Sequence, residues 1–223
     1  MSAIPRQTEP PVLTEVWQPE VLQILDEEHL VAWSSSPEQR VRFASALTNF
    51  IDGLHDAEVF VLHGRFMLDI DSFCHQLERL IPGERLERRI DGPHGIVSML
   101  RGRPVFPGRP ASRYRFFIWH DADAMLNENP RLFGRLVDAM LGVAAESEFV
   151  DDDLLLLQRA VFVGGPSLER YAREPGSQFR SWFDDGHAEP FWRTVTGQRA
   201  PLARPLRIES LESDAELQGW SVG

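Results

Sequence analysis

Short apolar runs that stop at a glycine or an acidic turn, each followed by an amphipathic stretch, restrict this chain to α/β folds with a mainly parallel sheet. The first such run is Glu58-Val59-Phe60-Val61-Leu62-His63, ended by Gly64 and continuous enough to predict a strand buried on both faces. Asp71 or Ser72 then caps a helix to about Ile81, with Phe73, Leu77 and Leu80 on its inner side. A second strand is expected at Tyr114–Trp119, and Asn129-Pro130 opens a helix bearing Leu132, Phe133, Leu136, Val137, Met140 and Val143. A third runs over Leu154–Val163 into Gly164-Gly165-Pro166, with a helix from Ser167. Strands alternating with helices require right-handed crossovers, so the expected architecture is a three-layer sandwich with helices on both faces of the sheet.

Upstream, Ser36-Pro37-Glu38 is a helix start, serine as N-cap and proline in the first turn, and Val41, Ala44, Leu47, Ile51 and Leu54 recur on one face of a helix over 37–54. The proline-rich residues 1–35, with one helix-like piece in VLQILDEEHLVAW, read as an N-terminal arm. Residues 36–175 read as the core. From 176 to 223 the chain carries Phe179, Trp182, Phe183, Phe191 and Trp192, a segment expected to pack on that core and to end in a loose acidic tail.

All 23 basic residues are arginine. With no lysine, Schiff-base chemistry, a P-loop lysine and a kinase-type lysine are all excluded. The formal charge of −11 disfavours nucleic acid and anionic membranes as partners. The single Cys74 rules out an internal disulfide and a cysteine-rich zinc site, and with no signal peptide or long apolar run the chain reads as cytoplasmic.

Candidate chemistry is sparse. Cys74 and His75 are helix neighbours pointing about 100° apart and do not form a nucleophile–base pair. Ser72 and Ser167 lack a GxSxG context. The histidines, His120 beside Asp121 and Asp123 included, show no diagnostic ligand spacing, so no metal and no cofactor is expected. The one basic region runs from Arg79 to Arg115 through glycine- and proline-rich turns. There Arg85, Arg88, Arg89, Arg101, Arg103 and Arg109 are candidate contacts to an acidic partner, or the partners of Glu78, Glu84, Glu87 and Asp91 on a solvated face.

The order of elements over roughly residues 37–172 resembles P-loop NTPases of the AAA type. VFVLHGRFMLDIDSFCHQL is similar to a strand, Walker A loop and helix, RFFIWHDADAML to a strand with Walker B, and RAVFVGGPSLERY to the later strand with a sensor position. The resemblance implies a nucleotide site at Gly64, Asp121 and Asp123, the aspartates as magnesium and catalytic carboxylates. The residues of the loop depart from the pattern: counted from Gly64, Asp69 stands for the second glycine, Ile70 for the lysine and Asp71 for the hydroxyl. Two carboxylates would face a polyanion. HGRFMLDIDSFCHQLERLI and FFIWHDADAML also resemble parts of barstar-type ribonuclease inhibitors, which implies an acidic surface facing a basic enzyme. The expected function is a non-catalytic, P-loop-like scaffold or regulatory protein that binds another protein. Alternatives are a lysine-free nucleotide site or a barstar-like inhibitor.

Overall fold

The computed structural model describes residues 17–80, 114–147, 157–183 and 203–211. They form an α/β fold with a five-stranded, all-parallel sheet in the order β2-β3-β4-β1-β5. The strands are β1 (His29–Trp33), β2 (Ala57–His63), β3 (Tyr114–His120), β4 (Leu157–Gly164) and β5 (Ala203–Arg207). The helices are α1 (Gln18–Glu27), α2 (Pro37–Asp52), α3 (Ile70–Leu80), α4 (Ala122–Glu128), α5 (Pro130–Ser147) and α6 (Pro166–Arg173).

Strand order and handedness fix the layers. The β1–β2 connection runs past β4 and β3 in one direction, whereas the later connections run the other way, so right-handed crossovers put α2 on the opposite face from α3, α5 and α6. Side-chain packing agrees. Leu30, Ala32, Phe116, Ile118, Val161 and Val163 face α1 and α2, meeting Val21, Leu25, Ala44 and Leu47. Val31, Trp33, Phe117, Trp119 and Phe162 face the other layer, meeting Phe73, Met125, Phe133, Leu168 and Phe179.

Several expectations change in position. The segment expected as an N-terminal arm supplies α1 and an inner strand: β1 pairs with β4 on one side and β5 on the other, and all five of its residues are buried. The helix-like piece VLQILDEEHLVAW divides at Glu28, whose extended backbone ends α1 without a glycine or proline to mark the break in sequence. Conversely, β2 is the sheet's edge rather than a strand buried on both faces: Phe60 and Leu62 are buried, Val59 and Val61 half-buried, His63 exposed. Gln76 covers the end of this edge, its side-chain amide donating to the His63 carbonyl and accepting from the His63 N–H at 3.2 and 3.1 Å. β5 carries Pro205 between arginines, a sequence tolerated on an edge strand and unreadable as one. Phe179 and Trp182 lie in the core, while Phe191 and Trp192 fall outside the described residues.

Helix α2 begins where Ser36 Oγ accepts the Gln39 N–H, and it buries Phe43, Ala44, Leu47 and Ile51. Val41, expected on the inner face, is 54% exposed because Phe43 turns the apolar stripe to one side of it and stacks on Trp17 with ring centroids 4.9 Å apart. Leu47→Ala is therefore expected to cost about 2–5 kcal/mol in urea unfolding, and Val41→Ala no more than about 0.5 kcal/mol; equal costs would contradict this facing of α2.

Candidate functional site

In open parallel sheets, ligands bind beyond the carboxyl ends of neighbouring strands whose chains leave in opposite directions. Here those strands are β1 and β4. Between Trp33 and the first residue of α2 the β1 exit has three residues, Ser34, Ser35 and Ser36, and the chain's own groups fill it. Buried Ser34 places its Oγ 2.6 Å from Glu209 Oε1 and 2.8 Å from Gln39 Oε1; its one proton goes to the carboxylate, the nearer and charged acceptor. The same oxygen of Glu209 accepts the Ser35 N–H at 3.3 Å, and Ser34 Oγ accepts the Ser36 N–H at 2.9 Å. Burial alone would raise the Glu209 carboxyl, but hydrogen bonds from Ser34, its own amide and Ser35, with Arg207 nearby, together hold it below the usual range. Of the amides that would greet an anion at this turn, the Ser35 N–H is thus engaged by a carboxylate brought in just after β5 and the Ser36 N–H by the Ser34 hydroxyl.

Arg40, one turn into α2, reaches back to the same exit, its Nη1 donating to the Ser34 carbonyl at 2.8 Å, while its Nε is buried without a hydrogen-bond partner. Asp123 approaches from α4. A Cβ on Gly165 would lie 2.8 Å from Asp123 Oδ2 and 3.2 Å from Arg40 Nη1, so glycine is what lets the carboxylate and the guanidinium close over the β4 exit. Gly164 is confined in the same way by Leu168 and Asp123.

The predicted trio of Gly64, Asp121 and Asp123 is divided. Gly64 leaves β2 at the sheet's edge, away from β1, and its missing Cβ admits the carbonyl of Asp121. Asp121 stands at the N-cap position of α4 with φ 47° and makes no capping hydrogen bond; its carboxylate pairs instead with Arg65 at 2.8 Å. Thus Asp121 serves the β2 exit and Asp123 the β4 exit. His63 and His120 lie beside them, ring centroids 5.2 Å apart; burial and then the neighbouring His63 lower the His120 pKa against the opposing pull of Asp121. Phe66 and Leu68, 69% and 44% exposed, follow Gly64 on the surface. Arg85, Arg88, Arg89, Arg101, Arg103 and Arg109 fall outside the described residues.

Among the described residues no group of three or more histidine, cysteine, aspartate or glutamate side chains is arranged to hold a metal ion, and no helix is long and apolar enough to cross a membrane. No protein-family model matches the chain, and a search of the curated proteins finds no match. Sequence reasoning missed Ser34, Arg40 and Glu209. The Ser36-Pro37 cap was the available signal for the first two, because a capped helix directly after an apolar run marks a strand exit. For Glu209 no local signal exists.

Removing the Glu209 carboxylate takes the acceptor from the Ser35 N–H and leaves Ser34 Oγ only the neutral Gln39 Oε1. Glu209→Ala is expected to cost roughly 1–2 kcal/mol near neutral pH, read by urea unfolding. Because the folded carboxyl lies below its ordinary value, this contribution is complete above the ordinary carboxylate range and is lost as pH falls through that range to the lowered value. The gap between wild type and variant should close on acidification; a gap independent of pH would contradict the assignment.

Proposed function

We propose that the protein is a non-catalytic, P-loop-like α/β scaffold that acts by binding another protein in the cytoplasm. The observation that carries this reading is the occupied crevice: the three-residue β1 exit is filled by Glu209 and its own serines, in a chain without lysine. A phosphate chain arriving there meets a carboxylate and finds no cradle of open amides. The exposed Phe66 and Leu68, next to Arg65, supply apolar surface of the kind partners bury. The exposed face of α3 carries Asp71, His75 and Arg79, of mixed sign, and so does not favour a barstar-like acidic face.

One observation favours a second reading. Arg40 and Asp123 meet over Gly165 at the switch point, which suits an atypical nucleotide site with arginine in place of lysine and Asp123 toward magnesium. Calorimetric titration with ATP, ADP and GTP, with and without magnesium, separates the two. The scaffold reading expects no saturable heat up to millimolar nucleotide, whereas binding abolished by Asp123→Ala and unchanged by Asp121→Ala would replace it with the nucleotide reading.

A further inference from the structure

At the opposite end of the sheet, where β3 begins, α1 and the end of α2 leave a groove of about 420 Å³. Its floor is Tyr114 and Phe116, whose rings lie nearly parallel with centroids 6.2 Å apart, and Phe50 and Leu54 close one side. Along the other wall α1 presents Leu22, Gln23 and Asp26. The volume suits a small molecule rather than a protein segment with several anchors.

The groove lining has one charged residue, Asp26. α2 runs toward the groove and brings the negative end of its dipole, with no basic residue in its last turn, while α1 lies along the groove from Pro19 to Asp26. Asp26 adds an exposed carboxylate with no ion-pair partner among the described residues. Two cations lie nearby. Arg159, beside Phe116 on the same face of the sheet, is buried and donates to the carbonyls of Gln158 and Asp26 at the end of α1, and Arg115 leaves the sheet on the other face, over Phe60 and toward Glu58. Three aromatic rings beside a carboxylate and the carboxyl end of α2 attract a positive group carried on an apolar body.

The geometry points to this groove as a binding site for a small organic cation, an amine or quaternary ammonium with an aromatic or aliphatic body. The apolar part lies on Tyr114, Phe116 and Phe50, and the charge faces Asp26. The site is independent of the scaffold reading and of the β1 exit.

The test uses the full chain and two probes of similar body and opposite charge, tryptamine and 3-indolepropionate, titrated by calorimetry. Tryptamine should bind saturably, and the anion at least about tenfold more weakly. Asp26→Asn should weaken tryptamine by about fivefold. Glu38→Gln, the same charge change in the first turn of α2 at the far end of the sheet, should leave it unchanged. The proposal is overturned by equal binding of both probes, by equal effects of the two substitutions, or by no binding at millimolar tryptamine.

Discussion

The placement of β1 between β4 and β5 is the constraint on which the rest of the molecule depends. This strand of five residues has hydrogen-bonded neighbours on both sides and apolar layers above and below, so it has little freedom to shift. Both of its ends are pinned by side chains as well. At the start, buried His29 accepts the Ala160 N–H through Nδ1; burial, and secondarily Arg159, keep this imidazole well below its ordinary pKa and hence neutral. At the exit, Ser34 is held by Glu209 and Arg40. A strand anchored so firmly is followed after only three residues by a capped helix.

The carboxyl end of the sheet consequently divides into two regions of different character. Around β1 and β4 the polar groups close on one another: Glu209 on serine hydroxyl and amides, Arg40 on a carbonyl, Asp123 against glycine backbone. Around β2 and β3 they face outward, with the Arg65–Asp121 pair, the two histidines and the exposed Phe66 and Leu68. The first region is built like structure and the second like surface. Arg207 and Arg173, both paired with Glu169, extend the first region along α6, and such exposed pairs add little stability of their own.

The α/β class and most elements were legible because apolar runs stopped by turns and capped helices announce themselves. Asn129 does accept the Leu132 N–H at the start of α5, and Ser36 does cap α2. The strand order was not legible. His29–Trp33 is too short and too close to α1 to stand out, and Ala203–Arg207 is disguised by Pro205 and its arginines. Without β1 in view, the conspicuous run before Gly64 attracted the Walker A comparison, although in the sheet it is an edge strand with Gly64 fitted to the Asp121 carbonyl. Glu209 lies 175 residues from Ser34, a separation that no local pattern bridges.

The account's central claim is that the Glu209 carboxylate occupies the β1 exit. Following the Glu209 carboxyl carbon and the Ser35 amide together by NMR through an acid titration tests it most directly. The account predicts one shared midpoint, below the ordinary glutamate value, with the Ser35 amide proton moving upfield as its charged acceptor is lost. A Glu209 carboxyl that titrates at its ordinary value while the Ser35 amide stays still would place the carboxylate in solvent and leave the crevice open.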